Sequence, residues 1–300
     1  VGDVAGAVET LTRALDVAPE DPDVLVPLAT ALEATGEKEQ AATLYEKARA
    51  LAPEHKAASL GAMRAGAETA AAPEIAAQIE EEEAAGQVDD DPVSLETRGD
   101  AAFKGGRHFL AAKLFKKAVD ASEGEPDERL LRNLAAAYEA SGQPSKAIAA
   151  YKRVLQAAPD DGELHYRYAK LLLSAGRRSD GKRALAKTAS VDKARWQASF
   201  DLGLLEMEDS QHTKAARAFE RVLDQMPNHV PALNNLGHSQ LQAGDKKGAL
   251  KTFEALTRAQ PSDPNPWLNV AALYQQMSRE RDMVSALAQA CQRGAQHACK

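Results

Sequence analysis

The sequence predicts an all-α fold in which short antiparallel helix pairs stack into a solenoid. Its main sign is a period of 34 residues, seen where three residues recur in order: Ala215, Phe219 and Pro227 are followed by Ala249, Phe253 and Pro261. Periods of this length are typical of helical repeats, which cannot bury their apolar faces alone and therefore stack. Aromatic residues are only 5% of the 300 residues, which suits thin layers packed through small side chains.

The period extends to other positions when each copy is numbered from its first residue. A small residue returns at positions 8 and 20, Gly or Ala at 15, an aromatic at 24, a small or aliphatic residue at 27 and Pro at 32. Three copies fill positions 8, 15, 20, 24, 27 and 32 in turn with Ala29, Gly36, Ala41, Tyr45, Ala48 and Pro53; with Ala135, Gly142, Ala147, Tyr151, Val154 and Pro159; and with Gly237, Gly244, Ala249, Phe253, Leu256 and Pro261. Small residues let two helices approach, the aromatic fills the space between them, Gly turns the chain and Pro ends the second helix.

This pattern resembles the tetratricopeptide repeat family, and the resemblance covers nearly all of the chain. It implies a right-handed superhelical array of repeats at 22–55, 92–127, 128–161, 162–195, 196–229, 230–263 and 264–297. Two copies depart from the pattern, with Gly181, Leu185 and Lys193 in the first and Met283 and Leu287 in the second. Residues 1–55 are interpreted as a half-repeat plus one full repeat. Because the half-repeat lacks its first helix and an initiator Met, we expect a fragment of a longer array.

The repeat register fails at 56–91. We predict a capping helix over Lys56–Ala70 and then an acidic, Ala-rich linker with a short solvated helix near Glu74–Ala85. One interpretation is a soluble spacer; another is a segment that folds onto residues 165–195, where nine Lys or Arg accompany only Asp180 and Asp192. The same basic stretch is also a candidate surface for an acidic partner or anionic lipid. Residues 92–300 are predicted to form an array of six repeats.

Composition narrows the classes of function. A formal charge of −7 argues against general nucleic-acid binding, which uses a net basic face. No apolar run approaches the roughly 18–20 residues that span a bilayer, and no signal peptide is visible. We expect a cytoplasmic protein, with a periplasmic location left open because the true N-terminus is absent.

Catalytic and metal-binding patterns are not found. The seven histidines never fall three or four residues apart, and neither a Gly-rich phosphate loop nor a Gly-x-Ser-x-Gly elbow occurs. We therefore predict no enzymatic activity, no metal and no cofactor.

The two cysteines, Cys291 and Cys299, are separated by seven residues. Their spacing resembles the junction between repeats in Sel1-like, cysteine-rich helical-repeat proteins, where a disulfide bridges neighbouring helices. In an oxidising compartment the pair would form this staple, and in a cytoplasm it would stay reduced, which is the state we favour. The resemblance also implies a helix starting near His297 and an array that ends at or just beyond Lys300.

The resemblance implies that the first helix of each repeat lines a concave groove, with positions 2, 5, 6, 9 and 12 facing it. Position 6 forms a ladder: Asn133, Arg167, Asp201, Asn235 and Asn269. An Asn amide can both donate to and accept from the backbone of an extended peptide. The alternative is that position 6 is polar only because it is exposed to solvent.

Positions 5, 9 and 12 predict an apolar centre in the same groove. Its members are Tyr166, Leu173, Phe200, Leu204, Met207 and Leu241. An apolar cluster on a solvated wall is a candidate binding patch, and the alternative is packing within the superhelix. A chaperone-binding carboxylate clamp is not expected, since of its five places, held by Phe200, Leu204, Asn235, Asn265 and Asn269, only the middle Asn matches.

These observations predict a non-catalytic scaffold that binds a protein or peptide in its concave groove. The Ala-rich acidic composition is typical of bacteria, and the resemblance implies a setting in cell-surface, secretion, motility or small-GTPase machinery. Two alternatives remain open. One is the substrate-docking arm of an enzyme whose catalytic domain lies outside this sequence, and the other is a self-assembling structural module.

Overall fold

The computed structural model describes residues 4–68, 72–87 and 91–299. Within these ranges the chain forms seventeen α-helices, one short 3-10 helix and no β-strand. The all-α class is confirmed. The α-helices are α1 (Val4–Val17), α2 (Pro22–Thr35), α3 (Lys38–Leu51), α4 (Lys56–Gly66), α5 (Ala72–Ala84), α6 (Pro92–Lys104), α7 (His108–Ala121), α8 (Glu128–Ala140), α9 (Pro144–Ala157), α10 (Gly162–Ser174), α11 (Arg178–Val191), α12 (Trp196–Glu208), α13 (His212–Gln225), α14 (Val230–Gln242), α15 (Lys246–Ala259), α16 (Asn265–Gln276) and α17 (Glu280–Gln292), and the 3-10 helix is Gln296–Cys299.

The chain divides into two compact units, Val1–Ala158 with α1–α9 and Pro159–Lys300 with α10–α17. In each unit, successive helices pack as hairpins. Each of the seven expected repeats supplies one such pair, from α2–α3 to α16–α17. Several first helices begin at an Asp whose carboxylate accepts a backbone N–H: Asp91 from Ser94 at 2.9 Å and Asp161 from Leu164 at 2.8 Å.

The packing roles expected for positions 8, 15 and 24 are present. A Cβ atom on Gly203 would lie 2.7 Å from the ring of Phe219, and one on Gly237 would lie 2.6 Å from the ring of Phe253. Both rings are buried, so a glycine at position 8 is what lets them fill the space between two helices. At position 15, Gly244 has a φ of 86°, in the left-handed region that glycine adopts without strain.

The two irregular copies also form helix pairs. In α11, Leu185 replaces the aromatic and is fully buried, and Leu173 packs directly over Gly181. In α17, Met283 and Leu287 pack against the core of α14–α17. A branched side chain therefore fills the place of the ring.

The structure corrects the prediction of a solvated helix in the linker. A helix does form near the expected place, as α5, but Ala76 and Ile79 on it are fully buried, and the helix packs on α6. Its carboxylates pair within the first unit: Glu80 with Arg107 at 3.1 Å, Glu82 with Arg98, and Glu83 with Lys113 and Lys117. Residues 69–71 and 88–90 of the predicted capping helix and linker, and residues 1–3 of the predicted half-repeat, lie outside the described residues.

The reduced state that we favoured for the two cysteines is also wrong. Cys291 and Cys299 form a disulfide that joins the end of α17 to the 3-10 helix. The segment around His297 is thus one short 3-10 turn in the described chain. Over the described residues, none of the helices has the length and apolar character needed to cross a bilayer.

Candidate partner-binding surfaces

The position-6 ladder is used partly for contacts between neighbouring first helices. In the first unit, the amide of Asn133 on α8 donates to Asp100 on α6 at 3.0 Å. This hydrogen bond links the repeat at 92–127 to the repeat at 128–161. Burial raises the pKa of Asp100.

In the second unit, Asp201 of α12 has the same role. Its carboxylate accepts from the Tyr166 hydroxyl at 2.9 Å and from Lys170 at 3.2 Å, both on α10. Burial, aided by the hydrogen bond to Asp201, raises the pKa of Tyr166 to about 12. Arg167, the ladder member on α10, is exposed.

The last two ladder members differ from these. Asn235 on α14 and Asn269 on α16 are half-buried, and within the described part of the chain their side chains make no hydrogen bond. An amide at this depth carries donors and an acceptor that only solvent or a ligand can satisfy.

The predicted apolar patch is half-buried. Phe200, Leu204 and Met207 on α12 pack against the core of α13 and α14, and the Phe200 ring meets Phe219 edge-on with centroids 5.7 Å apart. Leu241 packs similarly against the core of α14–α17. Each of these four side chains is only partly exposed.

Sequence reasoning missed a neighbour of this patch. Trp196, at position 1 of its repeat, lies 4.7 Å from His229 between ring centroids, and His229 lies 5.4 Å from Phe200. The His229 ring also accepts the backbone N–H of Ala232 at 3.2 Å and so begins α14. The signal available in the sequence was a Trp one helical turn before Phe200.

The basic stretch 165–195 is largely neutralised. Arg178 pairs with Glu208 and Asp209 at 2.9 Å, and Lys182 lies 2.7 Å from Glu206 and 2.8 Å from Asp209. Arg177 and Arg183 share Asp180, and Arg195 bonds Asp192 and Glu163. Half of these carboxylates, Glu206, Glu208 and Asp209, lie on α12 or directly after it.

A second surface emerges only from the structure. Between the second helices α7 and α9, above the first helix α8, lies a groove of about 630 Å³, which we call the basic groove. It is lined by Phe109, Ala112, Lys113, Lys116, Lys117, Leu131, Leu134, Tyr138, Gln143, Lys146, Ala149, Ala150 and Arg153.

The second unit contains a groove between the corresponding helices α15, α16 and α17. This counterpart groove has a volume of about 470 Å³ and is lined by Glu254, Thr257, Arg258, Pro261, Trp267, Val270, Tyr274, Asp282, Ser285 and Ala286. Its Tyr274 hydroxyl donates to Glu254 at 3.2 Å. The two grooves share a plan and differ in charge.

Among the residues that the structure describes, three or more His, Cys, Asp or Glu side chains nowhere converge as metal ligands would. What both surfaces offer is apolar area with polar groups at its edges, the composition of a protein interface.

Comparisons with known proteins agree with the fold. One tetratricopeptide repeat family model matches residues 1–65, 139–198 and 206–276, and a second matches 91–160. The C-terminal part of a TPR repeat-containing protein from Cytophaga hutchinsonii aligns with a TM-score of 0.55 and 14% identity, over 78% of this chain and 95% of that one. YrrB, described as a TPR protein with an unusual peptide-binding site, aligns with a TM-score of 0.45 and 20% identity, over 76% of this chain and 98% of that one.

A curated relative is similar over a shorter stretch. The protein CTR9 homolog of Arabidopsis thaliana is 34% identical over 124 residues, which is 40% of this chain. The match spans only 11% of the length of that relative. Because family models match well over half of the chain, the chain belongs to the tetratricopeptide repeat family.

Proposed function

We propose that the chain is a non-catalytic scaffold that binds an extended peptide segment of a partner protein across the first helices α12, α14 and α16, on the concave side of the array. The observation that carries this proposal is the pair Asn235 and Asn269. Both amides lie at position 6 of adjacent repeats, both are half-buried, and neither has a hydrogen-bond partner in the described part of the chain.

The binding mode follows from this spacing. Amides repeated once per helix pair can bond the backbone of an extended peptide without reading its side chains. The exposed remainder of Phe200, Leu204 and Met207 supplies apolar contact beside them. Because these side chains are already held against a core, little ordering of the protein opposes binding. Asp201, which joins α12 to α10, acts as a support for this site.

The test uses peptides selected on the immobilised full chain from a random library. Asn235→Ala and Asn269→Ala should each weaken a selected peptide by about 0.5–1.5 kcal/mol, the net value of a hydrogen bond. Asn228→Ala is the matched control, since Asn228 is an exposed Asn in the loop before α14. Selected peptides that bind both Asn variants as tightly as the control variant would reject this site.

The setting that we propose is bacterial cell-surface, motility, secretion or small-GTPase machinery, as the composition and the family resemblance suggest. Of the two compartments considered, the disulfide favours the oxidising periplasm over the cytoplasm. We also propose that the Cys291–Cys299 bridge corresponds to the Sel1-like junction that its spacing resembles.

A further inference from the structure

The basic groove has the shape of an anchoring site. Its floor consists of apolar side chains that are nearly fully buried, including Leu131 and Leu134 of α8. Phe109 stands at its edge with 69% of its surface exposed. The volume of about 630 Å³ is within the range of roughly 300–1,000 Å³ that ligand sites occupy. An exposed ring beside an apolar floor can hold a partner's large apolar side chain.

The charge of the groove is one-sided. Five cations line it and no carboxylate does. Lys113 and Lys117 share the single carboxylate of Glu83, at 2.7 and 2.8 Å, and Lys116 pairs with Asp120. The remaining two cations, on α9, have no carboxylate partner in the described chain.

These last two cations are Lys146 and Arg153. Lys146 donates to Gln143 at 2.7 Å and lies over the Tyr138 ring, and Arg153 makes no hydrogen bond or ion pair among the described residues. Five cations against two neighbouring carboxylates leave a local charge of about +3 on a protein of net charge −7.

The tyrosine hydroxyl in the counterpart groove has a different environment from the one in the basic groove. In the counterpart groove the hydroxyl of Tyr274 is satisfied by Glu254. At the equivalent place the basic groove has Lys116, whose ammonium group carries no hydrogen-bond acceptor. The Tyr138 hydroxyl has no hydrogen-bond partner within the described residues, and it is not sealed off from solvent. A carboxylate from outside would satisfy it.

We propose that the basic groove is a second docking site for an acidic peptide segment of a partner protein, and that this segment carries an apolar anchor between its carboxylates. The groove is separate from the first-helix face, our name for the site proposed above on α12, α14 and α16. The anchor lies on Leu131 and Leu134 beside Phe109, and the carboxylates meet Lys146, Arg153 and the Tyr138 hydroxyl. Lys146 and Arg153 are seven residues apart on α9, about 10 Å along the helix, which sets the spacing of the partner's carboxylates.

The experiment uses the full chain and a library of peptides about twelve residues long in which Glu residues flank one Phe, Trp or Leu, with Gln replacing Glu in a matched neutral library. Selected peptides are measured by fluorescence anisotropy in about 0.1 M salt. Acidic peptides should be enriched over neutral ones. The variant Lys146→Asp with Arg153→Gln should weaken them about tenfold or more, because it removes both unpaired cations.

Two further variants make the test specific. Lys187→Asp with Lys193→Gln makes the same change in charge on exposed lysines outside the groove, and it should alter affinity by less than about twofold. Ala149→Trp fills the groove at an exposed position without changing charge, and it should abolish binding. Circular dichroism verifies the fold of each variant.

Other outcomes would overturn the proposal. Equal weakening by both charge variants would mean general attraction to cations. Failure to enrich acidic peptides, or binding that Ala149→Trp leaves intact, would also reject the site. Binding of the chain to phosphatidylserine vesicles, lost with Lys146→Asp and Arg153→Gln while no peptide binds, would assign the groove to an anionic membrane. Asn235→Ala should leave acidic peptides bound, which keeps this test separate from that of the first-helix face.

Discussion

The basic groove and the counterpart groove are built at the same positions of their repeats and differ in charge: the first is lined by cations alone, and the second by two carboxylates and Arg258. Phe115 and Phe253 occupy position 24 in the helices that form one wall, and the next residues are Lys116 and Glu254. Position 11 of the following repeat is a Tyr in both grooves, Tyr138 in one and Tyr274 in the other. On the other wall, Lys146 and Arg153 of α9 correspond to Asp282 and Gln289 of α17.

This comparison separates two kinds of position in the repeat. The core positions keep one residue type because two helices must approach closely around a ring. The rim positions touch solvent and are free to vary, so each groove can acquire its own charge. In the counterpart groove the carboxylates are used internally, Glu254 by Tyr274 and Asp282 by Arg279 at 2.7 Å. In the basic groove Lys116, at the place of Glu254, pairs with Asp120, whereas Lys146, at the place of Asp282, has no carboxylate partner in the described chain.

The strongest test of this separation compares floor and rim. Leu134 is 4% exposed, and Leu134→Ala should lower the free energy of unfolding by about 3 kcal/mol, the usual cost of a buried cavity. The rim variant Lys146→Asp with Arg153→Gln should change it by less than about 0.5 kcal/mol. Urea denaturation followed by circular dichroism measures both. A rim variant as destabilised as the floor variant would show that the rim cations hold the fold.

The second test moves the positive charge from the basic groove to the counterpart groove. In the background Lys146→Asp with Arg153→Gln, adding Glu254→Lys and Asp282→Lys gives the counterpart groove the charge of the basic groove. We expect acidic peptides to regain about tenfold in affinity, equal to about 1.4 kcal/mol, measured by fluorescence anisotropy. The control is the same background without the added lysines. If nothing is regained, shape rather than charge decides which groove binds.

The sequence predicted the repeats well because close packing imposes a strict pattern on it. Phe219 and Phe253 recur 34 residues apart and lie fully or almost fully buried, each against the glycine at position 8. Helix α5 was predicted as solvated because small residues give little hydrophobic pattern. A Cβ atom on Gly105 would lie 2.3 Å from that of Ala76, so this contact relies on the absence of side-chain bulk.

The candidate site was harder to predict because its polar groups are satisfied across repeats. Asn133 and Asp201 look like ladder residues in the sequence, yet their partners are Asp100 and Tyr166, 33 and 35 residues earlier. The cations of 165–195 are likewise neutralised by residues such as Asp209, 27 residues beyond Lys182. Which side chains remain free depends on how neighbouring helices are offset, and periodicity does not encode this.

The third test varies the salt concentration, which should weaken peptide binding in the basic groove but not at the first-helix face. Raising the salt concentration from about 0.1 M to about 1 M shortens the Debye length from about 10 Å to about 3 Å. Acidic peptides in the basic groove should then weaken about fivefold, while peptides held by Asn235 and Asn269 should change by less than about twofold. Titrations at both concentrations decide this. Equal salt dependence at the two surfaces would contradict the assignment of charge to the groove.

The smallest effect concerns Glu83, the carboxylate that Lys113 and Lys117 share behind the basic groove. Burial opposes its ionisation, but hydrogen bonds from the two lysines outweigh burial and hold the pKa of Glu83 below its ordinary value of 4.5. The stability that this ionised group contributes is therefore fully present above about pH 4.5 and is lost as pH falls through the lowered pKa.

Glu83→Gln should remove this acid-dependent loss and leave stability near pH 7 insensitive to small changes of pH. It also frees one positive charge beside the groove, so acidic peptides should bind about twofold more tightly at pH 7. Glu81→Gln is the matched control, because Glu81 is an exposed carboxylate on the same helix. Anisotropy titrations and urea denaturation at pH 7 and pH 4 measure both effects. If Glu83→Gln weakened peptide binding instead, the main role of Glu83 would be to hold Lys113 and Lys117 in position, and its neutralisation of their charge would matter less.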